Sequence, residues 1–138
     1  MAPKDSPTEA ALTRFGREVI VEARDDTIAW HDAGVTNAGR PVSREAAPEV
    51  KQIAADYAML ASLPPELRAL VRRLVVRAAD SAIFYVLKYL DDLEAQLIVD
   101  EQEILKCVWG ELHGLPLTDD GWFAQYSKYG ERGDAVVP

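Results

Sequence analysis

Between the Pro64-Pro65 pair and Leu93 the chain carries neither glycine nor another proline. Proline fits the first turn of a helix, where its missing N–H is not needed, and stops whatever precedes it. The run therefore predicts the longest helix of the chain, from about Pro65 to Leu93. Its apolar residues occupy more than one face. Leu70, Leu74, Ala78, Ser81, Tyr85 and Lys88 form one stripe at helical spacing, and Val75, Ala79, Ile83, Val86 and Leu90 form another. A helix apolar on several faces is ordinarily central, wrapped by its neighbours.

The neighbours follow from the same signals. Ser6 or Thr8 is placed to cap a first helix, with Glu9 in its first turn. Leu12, Phe15, Val19, Ala23 and Trp30 then recur at steps of three, four and seven residues, which predicts one core-facing stripe. Arg14, Glu18, Glu22 and Asp25 fall opposite, on the solvated side. The segment from Asp32 to Pro48, punctuated by Gly34, Gly39, Pro41 and Pro48, reads as a loop. A second helix is expected from Pro48 to about Ser62, with Val50, Ile53, Tyr57 and Leu60 inward. Beyond Asp91, Leu97-Ile98-Val99 suits a short strand or buried turn and Glu101 to Trp109 a short helix. Trp122, Phe123, Tyr126 and Tyr129 suit a closing helix or irregular segment. The expected fold is all-α: one domain over residues 1–138, a bundle of four to five helices around the long central one. A small irregular or short-strand segment ends it, and residues 1–8 and 130–138 are read as flexible.

Size and composition agree with this. A chain of 138 residues with 49% hydrophobic residues can bury a core without disulfides. Its one cysteine excludes an internal disulfide framework and fits a reducing compartment. With no apolar leader and no long uncharged stretch, a cytoplasmic location is expected. The net charge of −8 argues against nucleic acid and anionic membranes as partners. The charge is unevenly placed: residues 64–90 hold 5 basic and 2 acidic groups, whereas residues 91–120 hold 1 and 9.

No pattern calls for catalysis. His31 and His113 stand in no nucleophile signature, and Cys107, beside Val108 and Trp109, reads as a protonated core thiol. Glu18, Glu22, Asp25 and Asp26 on one helix and Asp91, Asp92 and Glu94 after another are of the type that binds Mg²⁺, but the first three point away from the apolar stripe. No cofactor and no metal ligand is assigned. Asp80 is unusual, a carboxylate inside an otherwise apolar run. A buried carboxylate needs a partner, and Arg24, Arg73 and Arg77 are the candidates. Asp26, bordering the apolar stripe of its helix, is the residue that could share a polar pocket with Asp80.

Phe15-Gly16, Arg24-Asp25-Asp26-Thr27-Ile28, Val76 to Ser81, Gly110-Glu111-Leu112, Gly121-Trp122-Phe123 and Ser127-Lys128-Tyr129 together resemble a family of small, acidic, uncharacterised bacterial proteins. These pair an Arg-Asp-x-Thr-Ile helix with an Asp-Ser helix and end in an Asp-Gly-Trp…Ser-Lys-Tyr tail; the Gly- and Pro-rich loop at 34–48 departs from that pattern. The resemblance implies no activity. By analogy of size and charge the chain is similar to immunity proteins. The expected function is a protein-binding module, of immunity or inhibitor type, meeting a basic protein surface through Asp91, Asp92, Glu94, Asp119 and Asp120, with Trp109 and Trp122 as anchors. A Mg²⁺-dependent hydrolase of a phosphorylated small molecule is the alternative from another class. A homo-oligomer joined by an exposed stripe of the long helix is a third.

Overall fold

A computed structural model describes residues 6–93, 96–108 and 110–135. Ser6 caps the first helix, its hydroxyl accepting the Glu9 backbone N–H at 3.2 Å. Helix α1 (Pro7–Arg14) runs through a π-helical stretch (Phe15–Val21) into α2 (Glu22–Thr36). A π turn holds one residue more than an α turn, so it rotates everything after it. Up to the start of the stretch the buried positions are Ala11, Leu12 and Phe15; from its end onward they include Ile20, Arg24, Ile28 and His31. Val19, Ala23 and Trp30 consequently face outward instead of lining the core, and Trp30 is 81% exposed. The same rotation buries Asp25, expected among the solvated residues. Helix α2 also continues to Thr36, so residues 32–36 are its last turn and not loop. Gly34 is required there because the Tyr57 ring presses on the helix: a Cβ at this position would lie 2.5 Å from it.

Helices α3 (Pro48–Ser62) and α4 (Pro65–Asp92) both begin with proline in the first turn, where the sequence places them. Helix α4 lies antiparallel to α2, since the ion pairs Arg24–Asp80 and Asp32–Arg72 step in opposite directions along the two helices. Ile28, Val76 and Tyr129 cluster between those pairs. Helix α3 packs on α2, yet none of its residues is buried.

After α4 come a two-residue hairpin, β1 (Ile98–Val99) against β2 (Gln102–Glu103), then α5 (Leu105–Val108), a 3₁₀ turn (Leu112–Gly114) and α6 (Trp122–Tyr126). Glu103 fastens this region. Burial works to raise its pKa, but the backbone N–H groups of Lys106, Leu97 and Leu105 donate to its carboxylate and hold it low. The short elements lie across one side of the long helices, enclosing Phe15, Ile20, Val21, Leu87, Ile104, Leu112, Trp122 and Phe123. Trp122 meets Phe15 edge-on at 6.2 Å and sits over Gly16, where a Cβ would fall inside the indole. Residues 130–133 are not a frayed tail: Gly133 is buried, packed against Val76 and Ile28.

The architecture is thus mostly α-helical around a long central helix, with a minimal strand pair. It departs from expectation in one further respect: α4 is not wrapped. Its Val76 and Leu87 are buried, but Leu67, Leu70, Leu74, Tyr85, Val86 and Tyr89 are exposed. Among the described residues no helix is long and apolar enough to cross a membrane.

Candidate functional site

The most ordered polar feature is centred on Arg24, which has no exposed surface. Its Nε and Nη2 donate to Asp80 at 2.6 and 3.2 Å. Nη1 donates to Ser127 Oγ and the Gly130 carbonyl at 3.1 and 2.8 Å, and Nη2 to the Glu131 carbonyl at 2.7 Å. The guanidinium stacks on Phe123, 4.2 Å from the ring centre. Beside it Asp25 accepts from the Ser127 hydroxyl at 2.5 Å and the Lys128 N–H at 3.0 Å. Arg24, and not Arg73 or Arg77, is therefore the partner of Asp80. Asp26 does not join it; that carboxylate is exposed and Asp25 is the inward acid. Among the described residues every fully buried side-chain nitrogen or oxygen has a hydrogen-bond partner. A guanidinium with all its donors engaged, and acids already bonded, fastens the tail to the long helices; it holds nothing in reserve for a substrate.

The acidic residues are dispersed. Asp91 accepts from the N–H groups of Leu112 and His113 at 3.2 and 2.9 Å and meets His113 Nδ1 at 2.6 Å, capping the 3₁₀ turn. Asp92 pairs with Lys88 at 2.9 Å on the surface, and Asp119 and Asp120 are exposed. Glu94 and Trp109 lie outside the described residues, and Trp122 is a core ring. Cys107 is half-buried; its thiol donates to the Ile104 carbonyl at 2.9 Å, and burial raises its pKa. Glu18 is taken by Arg14. Among the described residues no three His, Cys, Asp or Glu side chains are placed to hold a metal ion.

What remains is the side that the C-terminal elements leave uncovered. From the first long helix it presents Val19, Ala23 and Trp30; from α4 it presents Leu67, Leu70, Leu74, Ala78, Tyr85, Val86 and Tyr89. Helix α3 covers only the end of this side near Trp30, with Val50, Ile53 and Met59 exposed on it. Where α2, α3 and α4 meet, Asp26, Thr27, Trp30, His31, Tyr57 and Val75 line an open cleft of about 500 Å³. A second cleft of about 320 Å³ adjoins it between α2 and α3, sharing Trp30 and Tyr57. His31 is 6% exposed, its ring 5.8 Å from that of Tyr57. Burial lowers its pKa, with Arg72 pushing the same way against Asp32. Isolated exposed apolar residues are ordinary, whereas runs of them along two helices are uncommon on a folded chain. Spacing alone read Trp30 as core, and no signal short of the π-helical rotation would have moved it outward. Set against known proteins, the chain matches no family model, no curated protein and no solved structure.

Proposed function

We propose that this chain is a protein-binding module whose contact surface is the uncovered apolar side of its two long helices. The single observation that carries the reading is the run of exposed Leu67, Leu70, Leu74, Tyr85 and Tyr89 along α4, with Trp30 beside it. Water-exposed leucines and aromatics at helical spacing gain free energy when a second apolar helix surface covers them, on the order of 25 cal/mol for each Å² removed from water. The exposed carboxylates Asp92, Asp119 and Asp120 lie on the acidic stretch and would orient an approaching basic group, which fixes direction and association rate more than affinity. The partner therefore offers an apolar helix face and positive charge. An immunity- or inhibitor-type role would be one form of such a module.

Photo-crosslinking in the native host tests this. A photoreactive residue at Leu74 or Tyr85 is expected to capture protein in an adduct of defined mass, while one at Ala124, exposed on α6, is not. If neither open-side position captures anything, the module reading fails.

A further inference from the structure

We infer that the surface covering this apolar side is a second copy of the same chain, paired antiparallel through α4 about a two-fold axis near Ala78. The inference rests on the module reading and names its partner.

Three observations carry it. The first is area. The whole chain exposes 9552 Å², whereas a folded monomer of its 15.3 kDa is expected to expose about 7,100 Å². The difference of roughly 2,400 Å² is of the order that each chain of an obligate homodimer loses on pairing. The open-side residues named above all lie within the described residues.

The second is the distribution of side-chain size along the exposed stripe. Leu67, Leu70 and Leu74 occupy one end, Tyr85 and Tyr89 the other, and Ala78, Ser81 and Ala82 the middle. An isologous pair needs a surface complementary to itself. Turned about Ala78, Leu74 of one copy faces Ala82 of the other and Leu67 faces Tyr89, while Leu70 and Val86 come level at the two edges of the seam. Small residues at the crossing let the backbones approach, and large ones fill the flanks.

The third is charge. Within α4 itself, residues 65–78 carry a net +3 and residues 79–92 a net −2. An antiparallel pair brings the basic half of each long helix towards the acidic end of its mate; a parallel pair sets like on like. The second copy thus supplies both properties required of the partner.

Sedimentation velocity on the full chain at micromolar concentration is expected to give twice the monomer mass. Ala78→Glu sets two carboxylates against each other on the axis and should raise the dimer dissociation constant by more than about 100-fold, with helical circular dichroism unchanged. Ala78→Cys, in a Cys107→Ser background, should oxidise to a dimer joined through residue 78. Leu70→Cys in that background should not, because residue 70 comes level with residue 86 and not with itself. A parallel pair would crosslink at both positions, and that result overturns the arrangement. A monomer at all concentrations overturns the second copy. The module reading survives that result if Leu74 still captures a different protein, and both fall if no open-side position captures anything.

Discussion

Five N–H donors belong to an arginine side chain, and Arg24 places all five: two on Asp80 and one each on Ser127, Gly130 and Glu131. Lysine keeps the charge but has three donors and no planar fork, so it cannot span a carboxylate and two carbonyls at once. Arg24→Lys is accordingly expected to destabilise the chain by about 3 kcal/mol, close to the cost of breaking a buried pair. Denaturant unfolding checks this, and a loss under about 1 kcal/mol would show the network to be incidental. His31 gives a pH signature. Its folded pKa lies below the usual 6.5 because burial disfavours the charged ring. The unfolded chain then binds the proton more readily, so this contribution is complete above pH 6.5 and is lost as pH falls from there towards the folded value. The fall in stability from about pH 7.5 to about pH 5.5 should be larger for the parent than for His31→Gln, and equal falls would refute it. At this scale the sequence was partly legible. A carboxylate at Asp80 inside an apolar run required a cation, and Arg24 was among three candidates. Asp25 was not legible as its neighbour, because one residue of helical rotation separates a solvated acid from a buried one.

That rotation belongs to the π-helical stretch Phe15–Val21. Deleting Glu18, which pairs with Arg14 on the surface, would leave Phe15, Ile20 and Arg24 four residues apart. A regular α-helix then presents both buried faces unchanged. The deletion is expected to fold, with a melting temperature within about 5 °C of the parent. Deleting Thr27 from regular α2 should instead turn Ile28 and His31 by about 100° out of register and abolish cooperative unfolding. If the two deletions behave alike, the stretch is not an inserted residue. Element boundaries were well marked where proline sets them, at Pro48 and Pro65. They failed at residues 32–36, where Gly34 reads as punctuation but serves as the seat of the Tyr57 ring.

For the molecule as a whole, the pairing inferred above would make stability depend on concentration. If a second copy covers the apolar side, tenfold dilution should lower the melting temperature measurably; a melting temperature independent of concentration would contradict the pairing. Fold class and the split of charge were both open to inspection in the sequence. Which side of α4 stays open was not, because a periodic stripe looks the same whether its own chain or another covers it. The grip on Arg24 has one more consequence, in the order of synthesis. Its acceptors are made late, Glu131 being 107 residues further along. At ribosomal speed that delay is roughly 5–20 s. Through that interval a charged side chain destined for the interior has no interior to enter. The helix that carries Arg24 is therefore among the last parts of the molecule to settle.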